Sequence, residues 1–218
     1  MTALTRRTVL WGGAASTLLS CNKWKEYYDA RESSPPRALL VEAMRQFERE
    51  GRPIRRALDI GCGSGVETLY LLNHGVEVYA FDIEKSAIEK LRERTPKALK
   101  PNLHEQIASF SSVLWPVEVD LTFAGFSLPF ATPQEFPFMW ASVRRSLAVG
   151  GRFAGQFFGL RDAWASEPTM TFHTKHQVEE LLDGWEIEVL REIEENRATA
   201  EGARKHWHLF EAIALKRR

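Results

Sequence analysis

Leu58-Asp59-Ile60-Gly61-Cys62-Gly63-Ser64-Gly65 decides how this 218-residue chain is read. Ala57 to Ile60 has the character of a short strand, and it runs directly into three glycines at alternate positions. Val66 to Asn73 then carries its apolar residues at helical spacing. A strand that ends in a glycine-rich turn and opens a helix sets backbone N–H groups at the carboxyl edge of a sheet, where a ligand can approach the main chain closely. Similar units flank it. Arg37 to Glu50 places Leu39, Leu40, Ala43, Met44 and Phe47 on one helical face, with Gly51 as the stop. Val76 to Phe81 alternates as a strand and ends at Asp82, and Ser86 to Arg94 is the next helix. Weak strand character from Leu103 to Ala108 precedes a strand from Val117 to Gly125 and a mostly helical stretch from Pro133 to Leu147. Gly150-Gly151 turns the chain into a strand from Arg152 to Phe158. Lys175 to Asp183 is helical, and two strands, Trp185 to Glu192 and Trp207 to Leu215, enclose a polar connection. Alternating strands and helices imply an α/β fold with a mostly parallel sheet and an antiparallel hairpin at its edge.

Asp82 lies 21 residues past Gly61, at the end of the second strand. A carboxylate there accepts hydrogen bonds from both hydroxyls of a ribose. Alone, Asp82 would read as a helix N-cap; at this distance from the glycine turn it reads as a ligand. The turn departs from the dinucleotide pattern G-x-G-x-x-G, because Val66 stands where the third small residue belongs. Asp59, two residues before the first glycine, suits a cationic ligand group better than a pyrophosphate. Cys62 reads as a small residue packed in the turn rather than a nucleophile.

Lys and Arg number 29 and Asp and Glu number 29. The resulting zero net charge excludes a broad basic field for nucleic acid. Hydrophobic residues at 44% and charged residues at 27% indicate a globular chain. No apolar run is long enough for a stable membrane span. The first 21 residues read as a separate extension: Thr5-Arg6-Arg7 resembles a twin-arginine signal, Val9 to Leu19 is a short apolar run, and Leu18-Leu19-Ser20-Cys21 resembles a lipoprotein processing box. A wrongly assigned start would produce the same segment. Residues 22–218 are expected to form a single domain.

The Asp-x-Gly-Cys-Gly-x-Gly turn followed by Asp82 resembles the signature of class I S-adenosylmethionine-dependent methyltransferases. Within that class the chain is similar to the small bacterial tellurite-resistance type, through Trp24-x-x-Tyr27-Tyr28, Phe126-Ser127-Leu128-Pro129-Phe130 and His206-Trp207-His208. The resemblance implies a Rossmann-like three-layer sandwich with a seven-stranded, mostly parallel sheet and an antiparallel last strand. It implies S-adenosyl-L-methionine as cofactor and S-adenosyl-L-homocysteine as product. Asp59 would lie near the methionine amino group, and the backbone of Gly61, Cys62, Gly63 and Gly65 along the methionine and adenosine. Asp82 would take the ribose, Ile83 would lie against adenine, and Phe110 would flank it. Family members often carry an acid beside the adenine, where this chain has Ala108-Ser109-Phe110. Trp24, Tyr27, Tyr28 and Arg37 are expected to close over the cofactor.

Ser127-Leu128-Pro129-Phe130 echoes incompletely the Asn-Pro-Pro-Tyr of amino-methylating members: serine replaces the amide and phenylalanine lacks the hydroxyl. Ser127 is a catalytic candidate, and Phe126 and Phe130 are candidate walls of the methyl-transfer channel. Met170-Thr171-Phe172-His173 is a candidate lid, and His173 and His206 are the candidate general bases. His206 and His208 share one face of the last strand, but without an evident third ligand no metal is expected. The expected reaction is direct displacement by a small-molecule acceptor such as a chalcogen oxyanion, a thiol or a small acid. A soft acceptor needs no base, whereas an oxygen or nitrogen acceptor usually does. The rival reading is a non-catalytic S-adenosylmethionine or nucleoside-binding protein, tethered through Cys21. The cytoplasm, where the donor is made, is the expected compartment; export or lipid anchoring at Cys21 is the alternative. A monomer or homodimer is expected.

Overall fold

The computed structural model describes Trp24 and residues 26–200 and 202–217. The export-like segment and Cys21 lie outside the described residues. β1 (Arg56–Ile60) pairs in parallel with β2 (Glu77–Asp82) on one side and β4 (Val119–Ala124) on the other. β3 (Leu103–Ile107) extends the sheet beyond β2, and β5 (Leu147–Gly159) extends it beyond β4. β8 (Arg204–Lys216) is inserted antiparallel between β5 and β7 (Trp185–Ala198). The order β3-β2-β1-β4-β5-β8-β7 is the seven-stranded arrangement expected. An eighth strand, β6 (Phe172–His173), adds a short parallel pairing with Phe158–Gly159.

Burial follows from strand alternation and one apolar helix stripe per side. On one face α1 (Ala38–Arg49), α2 (Val66–Asn73) and α3 (Lys85–Arg94) pack Leu40, Phe47, Leu72 and Leu91 onto Val78, Leu121 and Phe123. On the other, α4 (Phe136–Ser146) and α5 (Lys175–Leu181) pack Trp140, Val143 and Val178 onto Leu58, Ile60, Phe153 and Phe157. The sheet is therefore the middle of three layers. No helix among the described residues is long and apolar enough to cross a membrane.

Three elements differ from the pattern in the sequence. β5 begins at Leu147, so Gly150-Gly151 lies inside a strand, with Gly150 at φ +81° and a register shift opposite Val119/Leu121. The terminal hairpin is longer than its apolar stretches: Ile193 to Ala198 stays paired with Leu209 to Arg204. Cross-strand contacts of His206 with Glu194 and of His208 with Glu192 support this polar part, and Arg161, which follows β5, grips the same two carboxylates. The segment taken for a lid is β6, and a capping box between Thr174 and Gln177 starts α5 directly after it.

Arg152 on β5 is fully buried. Its Nε donates to Glu188 at 2.7 Å and its Nη1 to Glu50 at 3.1 Å, with the guanidinium 4.7 Å from the Phe47 ring centre. Removing one member of a buried pair leaves the other uncompensated. Arg152→Ala is therefore expected to cost about 3 kcal/mol in urea unfolding, the low end of such losses because Glu50 reaches water. A loss below about 1 kcal/mol would show that the carboxylates rehydrate fully.

Candidate active site

β1 ends in a turn where Gly61, Gly63 and Gly65 all have positive φ. At Gly61 the need is steric as well: a Cβ there would fall 2.5 Å from the Cβ of Ser127. The turn is tied to β2 through Cys62 N–H to the Phe81 carbonyl at 3.0 Å. The Asp82 carboxylate then organises what surrounds it. Its Oδ2 accepts from Gly63 N–H at 2.9 Å, and its Oδ1 accepts from Glu84 N–H at 2.9 Å and from the Tyr28 hydroxyl at 3.2 Å. Asp82 is 6% exposed. Burial raises its pKa, and the N–H donors of Glu84 and Gly63 oppose that rise.

Asp59, 2% exposed, accepts from Thr68 Oγ1 at 2.6 Å. Burial, reinforced by the charge of Glu67, pushes its carboxyl up to about 7. Glu67 is itself buried and is held by Arg31 at 3.0 Å and by the backbone N–H of Arg37 at 3.2 Å. Three buried acids thus lie close together beside the glycine turn, and Asp59 feels the charge of both Glu67 and Asp82. Cys62 is buried, and burial together with Asp59 and Asp82 keeps its thiol protonated, so it is no nucleophile.

Beyond β4, Phe126 is held at φ +63°, strained for a bulky residue. Its N–H donates to Gln156 Oε1 at 3.3 Å, and the Arg37 guanidinium lies 4.5 Å from its ring centre. Ser127 is 8% exposed, and its hydroxyl has no hydrogen-bond partner among the described residues. Phe130 packs edge-on to Trp24 at 4.9 Å and lies 6.4 Å from Trp164. Trp207 packs against Phe126 and Phe158. Behind this wall Lys205 bonds both Asp162 oxygens at 2.5 Å, and its ammonium lies 3.7 Å from the Trp207 ring centre and 4.2 Å from that of Trp164. Trp164, Lys205 and Asp162 were not legible as site residues, because no local motif links 162–164 to 205–207.

The remaining candidates are dispersed. Ile83, 65% exposed, stands open beside Asp82. Phe110 packs edge-on to Phe81 and lines a cavity of about 430 Å³ with Trp115, Phe138 and Met139. His173 is not on a lid. It is buried between Phe136 and Phe157 in the core beneath α4, and that burial pushes its pKa down to about 4. His206 is tied to Asn196 at 3.1 Å and Glu194 at 3.2 Å on the terminal hairpin. His208 lies with Glu192 and Glu194, where the Arg161 guanidinium already supplies the positive charge.

Residues 57–151 match the family described as a methyltransferase domain. No curated protein sequence matches the chain. Among solved structures, TehB from Haemophilus influenzae is similar at TM-score 0.70 and 19% identity, over 85% of this chain and 64% of that one. This chain therefore spans less than two thirds of that protein. The 1,6-didemethyltoxoflavin-N1-methyltransferase of Burkholderia thailandensis, solved with its acceptor and S-adenosylhomocysteine, is similar at TM-score 0.64 and 20% identity, over 98% and 94% of the two chains. The N-methyltransferase NodS of Bradyrhizobium japonicum, solved with S-adenosylhomocysteine, gives TM-score 0.65 and 15% identity over 91% and 99%. Residues 57–151 therefore carry a methyltransferase domain, set in a fold shared with methyltransferases solved with S-adenosylhomocysteine, which points to S-adenosylmethionine as the cofactor. The cleft fits that group, since its acids suit an ammonium and a sulfonium and Asp82 already accepts a hydroxyl.

Asp59 must ionise to pair with an ammonium. S-adenosylhomocysteine affinity is therefore expected to rise by up to about tenfold per pH unit below about pH 7 and to level off above it. Without ligand the sign reverses. The folded state holds this proton more tightly than the unfolded chain, so this group costs stability as pH rises from about 4 to about 7. Calorimetric titration across that range with Asp59→Asn as control checks the first statement. A profile shared by wild type and variant would contradict it.

Proposed function

We propose that the chain transfers the methyl group of S-adenosylmethionine to a small acceptor that arrives already nucleophilic: a chalcogen oxyanion, a thiol or a small acid. The carrying observation is that the acceptor end is walled by Phe126, Phe130, Trp24 and Trp164 while the nearby bases are committed elsewhere. His173 is buried beneath α4, His206 is held on the hairpin, and Asp162 is neutralised by Lys205. One similar structure was solved with bound 1,6-didemethyltoxoflavin and S-adenosylhomocysteine, which supports a small-molecule acceptor.

In this reading the bound cofactor supplies an electrophilic methyl on a sulfonium, and the chain contributes alignment and exclusion of water. Asp82 holds the ribose hydroxyls, Asp59 the methionine amino group, and the Gly61–Gly65 backbone the span between them. Ile83 covers one face of the adenine. Ser127, whose buried hydroxyl lacks a partner among the described residues, orients the acceptor beside Gly61. The aromatic wall excludes water from the line of displacement. The cytoplasm, where the donor is made, is the compartment this reading requires.

Two measurements test it. Asp82→Ala is expected to weaken S-adenosylhomocysteine binding roughly 100-fold, the loss of charge-assisted bonds to two hydroxyls, with an unchanged circular dichroism spectrum. Normal binding would remove the ribose assignment. In an acceptor screen with S-adenosylmethionine, selenite, tellurite, thiols and small acids are expected to release S-adenosylhomocysteine, and amines and alcohols are not. Turnover of amines that collapses in His206→Ala would contradict the base-free reading.

A further inference from the structure

The side chain that covers the glycine turn also occupies the ribose acid. Tyr28 is 7% exposed, and a Cβ on Gly63 would fall 2.9 Å from its ring, so the ring lies directly on the turn. Its hydroxyl donates to the same Asp82 carboxylate that carries the Gly63 and Glu84 hydrogen bonds. Asp82 is 6% exposed, and the phenol takes up an acceptor position on Oδ1 that a ribose hydroxyl would need.

The backbone around Tyr28 is fastened down from outside the cleft. Residues 26–31 are helical. Arg31 pairs with Glu67 at 3.0 Å, and Lys90 of α3 bridges Asp29 and Glu32, the latter at 2.6 Å. Arg94 of α3 donates to the Glu32 carbonyl at 2.9 Å and to the Ser64 carbonyl of the glycine turn at 2.7 Å. One arginine thus joins the segment to the turn it covers. Lys90, Glu32 and Asp29 are partly exposed, so salt weakens their attraction.

We propose that residues 26–32 form an autoinhibitory strap in which the Tyr28 hydroxyl stands in for a ribose hydroxyl, so that the cofactor enters only after the strap lifts. The inference rests on the assignment of Asp82 to the ribose. It differs from a segment that merely closes over bound cofactor, because the closed contact here uses the cofactor's own acceptor. Apparent affinity then falls in proportion to the fraction of molecules that stand open.

The test is calorimetric titration of the full chain with S-adenosylhomocysteine, comparing wild type, Tyr28→Phe, Lys90→Ala and Asp82→Ala at low and moderate salt. Tyr28→Phe removes a hydrogen bond to a charged group and is expected to tighten binding roughly tenfold. Lys90→Ala acts on the clamp from outside the cleft. It is expected to tighten binding as well and to remove most of the gain in affinity that added salt gives the wild type. Weaker or unchanged binding in both variants, with Asp82→Ala still weakening it roughly 100-fold, would overturn the strap and make Tyr28 a cofactor contact. Normal binding by Asp82→Ala would instead remove the ribose assignment, and the strap with it. Lys90→Ala touches no buried group, so the test survives even if Tyr28→Phe does not fold.

Discussion

One buried carboxylate joins the parts of this molecule on which its chemistry depends. Asp82 ends β2, holds the N–H of Gly63 in the turn after β1, and starts the path into α3 through Glu84. A buried carboxylate without donors would be costly, and these donors offset that cost. The arrangement fixes the separation between the glycine turn and the acid, and that separation defines what the cleft can hold. Asp59 and Glu67 add charge to the same cleft, and Arg31 and Arg37 hold Glu67 at its rim.

The cleft has two ends of different character. At the end formed by the glycine turn and Asp82, carboxylates and backbone N–H groups cluster, a set suited to a cationic, hydroxyl-bearing ligand. At the acceptor end, rings stand edge to face, stiffened from behind by the Lys205–Asp162 pair and by Gln156 under the strained Phe126. A polar binding end and a ring-lined reaction end suit displacement at carbon, where charge on the donor sulfur is lost and water would compete.

Much of the first end was legible in the sequence, because its parts are set by local chemistry. A glycine turn needs glycines where the chain turns left-handed and where Ser127 crowds Gly61. The acid after the next strand follows from one βαβ unit. What the sequence hid depends on distant pairing. Phe172-His173 looks like a loop until the end of β5 pairs with it, and only then does His173 turn into the core. Ile193 to Ala198 looks like a polar connection until its charges meet those of Arg161 and β8. Lys205 and Asp162 become partners only through the fold, and Tyr28 shows its role only when its hydroxyl is found on Asp82.

The central claim is that Asp82 is the ribose acid and that Tyr28 competes for it. A crystal structure of the full chain with S-adenosylhomocysteine tests this directly. The account requires the ribose hydroxyls on the Asp82 carboxylate and the Tyr28 hydroxyl withdrawn from it. A nucleoside bound with Tyr28 still on Asp82 would contradict the account.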